Sequence, residues 1–175
     1  MSSGPDVQIE KLTAENVRED SLDGFVRTQI VKRVYVKHEG GYELADKPFI
    51  DDWTPERKRE KARELTCGGL ISYGAFVNGE LIGFIGLGRE LSCGRMIVST
   101  LHVSSQYRGR GIGRMLFSRG MDEAREHGAC ALYISACFSE ETVAFYRAMG
   151  AVLTDQPIAE LAKAEPLDLQ MICKI

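Results

Sequence analysis

Long apolar runs are missing from this chain. The best candidate is broken by Asn78, Gly79 and Glu80, far short of the ~20 residues a membrane-spanning helix needs. The opening Met-Ser-Ser-Gly-Pro-Asp-Val-Gln has neither a basic end nor an apolar core of signal-peptide length. Cysteine is sparse: Cys67, Cys93, Cys130, Cys137 and Cys173 are odd in number, scattered, and without paired metal-ligand spacing. The expectation is a cytoplasmic protein with reduced thiols, no membrane association and no metal. A basic excess is missing too. With 22 Lys and Arg against 25 Asp and Glu, the net charge of −3 argues against nucleic acid as a partner, which usually demands a strong positive balance. Low-complexity tracts and internal repeats are also lacking, so the chain should be globular throughout.

What is present suffices for one ordinary domain spanning residues 1–175, at 44% hydrophobic and 27% charged. Val7 to Lys11 alternates as a first strand. Leu22, Val26, Ile30 and Val34, with Phe25 beside them, recur every four residues and predict an amphipathic helix. A loop follows from about His38 to Trp53. Thr54 then caps a second helix, with Pro55 at its first position and Gly68-Gly69 beyond its end. Ser72–Val77 and Leu81–Arg89 flank Asn78-Gly79, a strong hairpin signal.

Arg95 to Ser105 reads as the next strand and Ile112 to His127 as a helix with Ile112, Leu116, Gly120 and Ala124 on one stripe. Cys130–Ala136 is a buried-type strand. A helix capped by Ser139 follows, with Gly150 placed as a left-handed C-cap, and Ala151–Leu153 and Leu167–Ile175 close the chain as strands. An antiparallel meander leading into a β-α-β unit predicts a mixed α/β sheet.

Between the strand from Arg95 and the helix from Ile112 lies Gln106-Tyr107-Arg108-Gly109-Arg110-Gly111-Ile112-Gly113-Arg114. Glycines at alternate positions let backbone amides turn outward, and amides at the positive end of a helix cradle phosphate. Arg108, Arg110 and Arg114 add permanent charge. Two phosphate loops are excluded: no Gly-Lys-Ser/Thr exists, and Gly111-x-Gly113 lacks the third glycine of the dinucleotide fingerprint.

What matches is Gln-x-x-Gly-x-Gly, in register with Gln106/Gly109/Gly111 or, two residues on, with Arg108/Gly111/Gly113. This resembles the acetyl-CoA pyrophosphate loop of the GNAT superfamily of N-acetyltransferases. Ser139 to Gly150 is similar to that family's late, tyrosine-bearing helix, with Ser139 where asparagine is common and Ala151 where phenylalanine usually sits. The matching segments run roughly from Gly69 to Gly150.

The resemblance implies a central mixed sheet of about seven strands flanked by about four helices, in the order β-α-α-β-β-β-α-β-α-β-β. It implies acetyl-CoA as co-substrate and direct transfer to a primary amine. Leu101, His102 and Val103 would meet the pantetheine arm. Arg108, Gly109, Arg110, Gly111, Ile112, Gly113 and Arg114 would hold the phosphates, with Ser139 nearby. Tyr146 would protonate the departing thiolate. A tyrosine that merely packs its ring is the bland alternative.

No carboxylate lies on the strand from Arg95, so the base stays open among His102, Glu90, Asp51, Asp52 and ordered water. Cys137 is a small buried thiol rather than a nucleophile. Glu39, Glu43, Asp46, Asp51 and Asp52 oppose only Lys47 in the loop before Trp53, beside Tyr42 and Phe49. Asp51, Asp52 and Trp53 are therefore candidates for binding a small cationic amine, through ion pairing and cation–π contact; a solvated surface loop explains them equally well. A protein lysine or N-terminal acetyltransferase is an alternative, as is a noncatalytic acyl-CoA-binding regulatory domain. Monomer and homodimer both remain open.

Overall fold

The computed structural model describes residues 6–175. Strand β1 (Gln8–Lys11) pairs antiparallel with β4 (Leu70–Val77), which continues antiparallel through β5 (Glu80–Ser92) to β6 (Arg95–Val103). Asn78 (φ 50°) and Gly79 (φ 80°) form the β4–β5 turn; two positive φ angles are what a tight hairpin of right-twisted strands requires. Helix α2 (Ile112–Glu126) then crosses over, and β7 (Ala131–Ala136) returns parallel to β6. Strand β9 (Leu169–Lys174) lies antiparallel to β7, with β8 (Val152–Leu153) outside it, giving the order β1-β4-β5-β6-β7-β9-β8. Four helices accompany this mixed sheet: α1 (Pro55–Thr66), α2, α3 (Glu140–Ala148) and the short α4 (Ala159–Ala164).

The first third differs from expectation. No helix spans Leu22 to Val34, and the segment from His38 to Trp53 is not a loop. Residues 29–51 form a separate hairpin of β2 (Gln29–His38) and β3 (Gly41–Asp51). The reason lies in its pairing. Lys47 and Pro48 of β3 together face Lys32 of β2, so the register slips between Val31 and Arg33. Proline has no N–H for a ladder and is tolerated at such an irregularity. Across it the buried positions become Val31 and Val34, three apart instead of two, which imitates helical spacing. Leu22 and Phe25 are buried, but in turns ahead of the hairpin. The fourth helix is instead α4, in the segment carrying Pro157 and Pro166.

Packing sets the position of the site. Leu116, Phe117, Gly120 and Ala124 of α2 are buried against the sheet, and a Cβ at Gly120 would stand 2.8 Å from Ile85 Cδ1. That glycine lets the helix lie close. β6 and β7 pair only from Arg95↔Ala131 to Val98↔Ile134. Immediately beyond, Ser99 is an extra residue between the pairs Val98↔Leu87 and Thr100↔Gly86. Such a bulge bends its strand. β6 therefore runs on to Val103 beside β5 while β7 follows β9, and the sheet splays open.

The β2–β3 hairpin covers the mouth of this gap. It is tied to the start of α3 by the Val34↔Ser139 bridge, by the Tyr35 amide donating to the Phe138 carbonyl (2.8 Å), and by a two-pronged ion pair of Arg33 with Glu140.

Candidate active site

The splay holds a cleft of about 740 Å³. One wall is the free edge of β6, where Ser99 to Val103 have no strand partner on the β7 side. Unpaired strand amides and carbonyls are available to a ligand that lies along them. The floor at one end is the start of α2. Gly109 (φ 75°) and Gly111 (φ 80°) adopt left-handed conformations, and a Cβ on either would find no heavy atom within 4 Å. Gly111 is the N-cap of α2 and no side chain bonds the first-turn amides. Those amides have no partner within the helix either, so an open, uncapped, positive helix end faces the cleft. Gly109, Gly111, Ile112, Gly113 and Arg114 line it, as do Leu101, His102 and Val103.

Arg110 and Ser139 lie outside the lining, and Arg108, though it lines the cleft, is engaged elsewhere. The Arg108 guanidinium serves the protein itself, donating from Nε to the Val103 carbonyl (2.9 Å), from Nη1 to the Thr28 carbonyl (3.0 Å) and from Nη2 to the Arg27 carbonyl (3.1 Å). It staples the end of β6 to the segment before β2, and burial together with Arg27 pulls its pKa down. Arg110 is outside the lining and stacks on Tyr107, 5.3 Å from the ring centroid. Ser139 is fully buried and does not line the cleft. Its hydroxyl donates to Thr142 Oγ1 (2.8 Å) and accepts from the Thr142 amide (3.3 Å), a helix cap. Arg114 alone of the three loop arginines is at the cleft without such a commitment. Arg108→Ala should therefore lower stability by about 2 kcal/mol, because three backbone carbonyls lose a charged donor. Denaturant melts check this; an unchanged midpoint would show that water replaces the guanidinium without loss.

Tyr146, on α3, is 7% exposed and lines the cleft. Phe117 and Phe145 fix its ring edge-on at 6.0 and 5.2 Å, yet no group among the described residues hydrogen-bonds its hydroxyl. Burial first, then Cys137 and Asp168, push its pKa upward, so the phenol stays protonated at neutral pH. Burial also raises the Cys137 thiol; a protonated thiol is a poor nucleophile, which favours direct transfer over an acetyl-cysteine. His102 is driven well below the ordinary histidine range by burial and by Arg27, Lys61, Arg108 and Arg57. It is neutral, and its ring meets the edge of Trp53 at 4.8 Å.

Asp51, Asp52 and Trp53 do not line the cleft. Asp51 accepts from Arg27 Nη2 (2.8 Å), and Asp52 accepts from Thr28 Oγ1 and the Trp53 amide, both at 2.7 Å. Trp53 stacks on Phe84 at 6.3 Å, with Arg27, Arg57 and Lys61 around its ring. Its cation–π partners are the protein's own. Glu90 is likewise outside the cleft.

Sequence reasoning missed four residues. Arg27, 7% exposed, lines the cleft with a buried Nε that has no partner. Glu165 and Asp168, from the turn between α4 and β9, also line it, as does Glu141 of α3. Nothing local marks Glu165 and Asp168, since they reach the cleft only because β9 pairs with β7.

A splayed sheet whose open edge leads to an uncapped helix end suits a long phosphorylated co-substrate, and the family match makes the protein an acyl-group transferase. The chain belongs to the acetyltransferase (GNAT) family, whose model matches residues 39–151, and is an acetyl-CoA-dependent N-acetyltransferase. It is 28% identical over 141 residues to the streptothricin acetyltransferase of Streptomyces lavendulae, covering 75% of this chain and 73% of that one. The nourseothricin acetyltransferase structure superposes with a TM-score of 0.72 at 19% identity, covering 96% and 98% of the two chains. A provisionally named streptothricin acetyltransferase from Bacillus anthracis str. Ames, solved with acetyl coenzyme A, gives 0.72 at 16% identity, covering 97% and 99%. At those identities the two structures speak to the fold. Among the described residues, no helix is long and apolar enough to cross a membrane.

Proposed function

We propose that the protein transfers an acetyl group directly from acetyl-CoA to a primary amine of a small cationic molecule. One observation carries this reading: the cleft lining offers both charges. Arg114 and the uncapped amides at the start of α2 are its positive groups, while Glu141, Glu165 and Asp168 bring acids to it from other elements. Phosphates belong at the first and an ammonium group at the second. The names of the curated relative and of the first structural neighbour, a streptothricin acetyltransferase and a nourseothricin acetyltransferase, support the same class of acceptor.

The chain's residues then divide the work. The free edge of β6, at Leu101 and the Val103 amide, pairs with the amide-bearing pantetheine arm as a strand would, and the start of α2 holds the pyrophosphate. Bound acetyl-CoA supplies an activated acyl group on sulfur. Tyr146, kept protonated by burial, donates to the sulfur as its bond to carbon breaks. The acceptor must arrive as ammonium, attracted by these acids, and lose one proton to become nucleophilic, since an alkylammonium has a pKa near ~10.4. The test is release of free CoA with streptothricin, a polyamine, an amino acid, an aminoglycoside and a lysine-bearing peptide. Turnover should appear with a small amine and exceed that with the peptide at least tenfold. Preference for the peptide would favour a protein acetyltransferase.

A further inference from the structure

Asp168 stands where two cavities meet. It lines the main cleft, and it also lines a second cavity of about 290 Å³ formed by Lys37, Tyr42, Pro157, Pro166 and Gln170. Ser135 Oγ of β7 reaches its carboxylate at 3.4 Å, and Gln170 Nε2 of β9 donates to that same hydroxyl (3.0 Å). Gln170 is in turn bonded to the Tyr133 hydroxyl, whose oxygen accepts from the Ile158 amide (2.9 Å). The carboxylate is thus anchored to two central strands rather than carried on a mobile loop.

An independent feature faces the same space. The Tyr146 side chain is more than nine-tenths buried, yet its hydroxyl has no hydrogen-bond partner among the described residues and is not one of the sealed polar atoms. A phenol that opens on the cleft with both its donor and its acceptor uncommitted is available to a polar group of a ligand. Asp168 is close enough to raise the pKa of Tyr146 electrostatically.

We infer that Asp168, steadied by Ser135 and paired with Glu165, receives the acceptor's ammonium group and takes its proton, while the second cavity holds the remainder of the acceptor. This rests on the small-amine reading given above. The proton passes from nitrogen to the Asp168 carboxylate, freeing the nitrogen lone pair. That pair forms the C–N bond as the C–S bond breaks. Tyr146 gives its proton to the sulfur and takes back one of the two left on nitrogen, the other staying as the amide N–H, and Asp168 later releases its proton to water. The sum is amide, free CoA thiol and one proton.

The groups around the carboxylate suit that role. Burial and the facing Glu165 raise the pKa of Asp168 to about 7, with Ser135 opposing them. Cys137 and Tyr146 face it as neutral groups, Glu141 is a further acid in the cleft, and Lys37 and Tyr42 approach from the second cavity. Relative to an ordinary aspartate, a base near 7 makes removal of an ammonium proton roughly a thousandfold less unfavourable.

The test is Asp168→Asn in the full chain, with streptothricin as acceptor. kcat/KM at pH 7.5 should fall about 10²–10⁴-fold, and the wild-type rise in kcat/KM with an apparent pKa near 7 should vanish. Acetyl-CoA affinity by calorimetry should stay within twofold. Glu165→Gln should move the wild-type rise to lower pH, because a charge that opposes ionisation of Asp168 is gone.

A second readout needs no turnover. A carboxyl whose folded pKa exceeds its unfolded value loses stability as pH rises through the interval from 3.8 to about 7. Asp168→Asn should therefore melt higher than wild type at pH 8.5 and equally at pH 4. An unshifted profile with kcat/KM within threefold of wild type overturns the assignment while leaving the small-amine reading intact. A uniform fall at every pH, with the midpoint retained and acetyl-CoA affinity lost, reduces Asp168 to scaffolding and overturns it as well. If wild type acetylates no small amine while still binding acetyl-CoA, both readings fall together.

Discussion

Tyr146→Phe should lower kcat by roughly 10²–10⁴-fold while leaving acetyl-CoA affinity within about twofold. The substitution keeps the ring in the pocket made by Phe117 and Phe145, so packing is preserved. What it removes is a hydroxyl that nothing in the described protein engages and whose proton is held firmly by burial. A phenol so placed is protonated at neutral pH and can donate to the sulfur as charge builds there, although the burial that raises its pKa also makes it a weaker acid. The loss should be in kcat rather than in KM for acetyl-CoA, because the bond to sulfur changes only on the way to the transition state. Steady-state kinetics beside calorimetry separates the two. Wild-type turnover in Tyr146→Phe would leave the residue a packing role. A parallel loss of acetyl-CoA affinity would instead mean that the hydroxyl binds the thioester in the ground state.

How much of this was legible in the chain depended on whether the signal was local. Ser139 followed by two acids, and Gly150 (φ 93°) after the last turn, mark α3 within a dozen residues, so Tyr146 could be placed on a helix from the sequence. The glycines at 109, 111 and 113 likewise announce the turn into α2. The β2–β3 hairpin was hidden by its own irregularity. Five apolar residues from Leu22 to Val34 match a helical stripe by spacing alone: Leu22 and Phe25 are buried ahead of the hairpin and Val34 within it, while Ile30 points to solvent and Val31 takes its place in the core. The contrary signal was composition: Ile30, Val31, Val34 and Val36 are β-branched and Tyr35 is aromatic, a strand-like set.

Charge was the least readable property. Five acids in the segment from Glu39 to Asp52 look like a cation site, yet Asp51 and Asp52 are occupied by Arg27 and Thr28. Arg108 looks like a phosphate ligand, yet its donors serve Val103, Thr28 and Arg27 carbonyls. A sequence shows that a charge exists but not what already neutralises or engages it. Glu165 and Asp168 illustrate the converse. They sit beside Pro166 in an unremarkable polar stretch, and become an acidic cleft wall only through the pairing of β9 with β7 from Ala131 to Ala136.

Gly111→Asp should abolish acetyl-CoA binding, by at least about 100-fold, the equivalent of ~2.7 kcal/mol, with the fold kept. Gly111 is the N-cap of α2 at φ 80°, and a side chain there projects into open space. Aspartate is among the residues that best tolerate a left-handed backbone, but any side chain at φ 80° is strained, so the protein should lose on the order of 1 kcal/mol of stability and still fold. The new side chain stands in the open space beside the helix end, and its negative charge lies where those of the phosphates must come. Gly111→Asn separates the contributions, because it fills the same space without the charge. Affinity should fall in the order wild type, Gly111→Asn, Gly111→Asp, and the gap between the two variants should narrow with added salt as screening shortens the reach of the carboxylate. Calorimetry with acetyl-CoA at low and high ionic strength, alongside thermal melts, decides it. Unchanged affinity in Gly111→Asp, in a protein that still folds, would mean that the phosphates are held elsewhere in the cleft, whose lining cations are Arg27, Arg108 and Arg114.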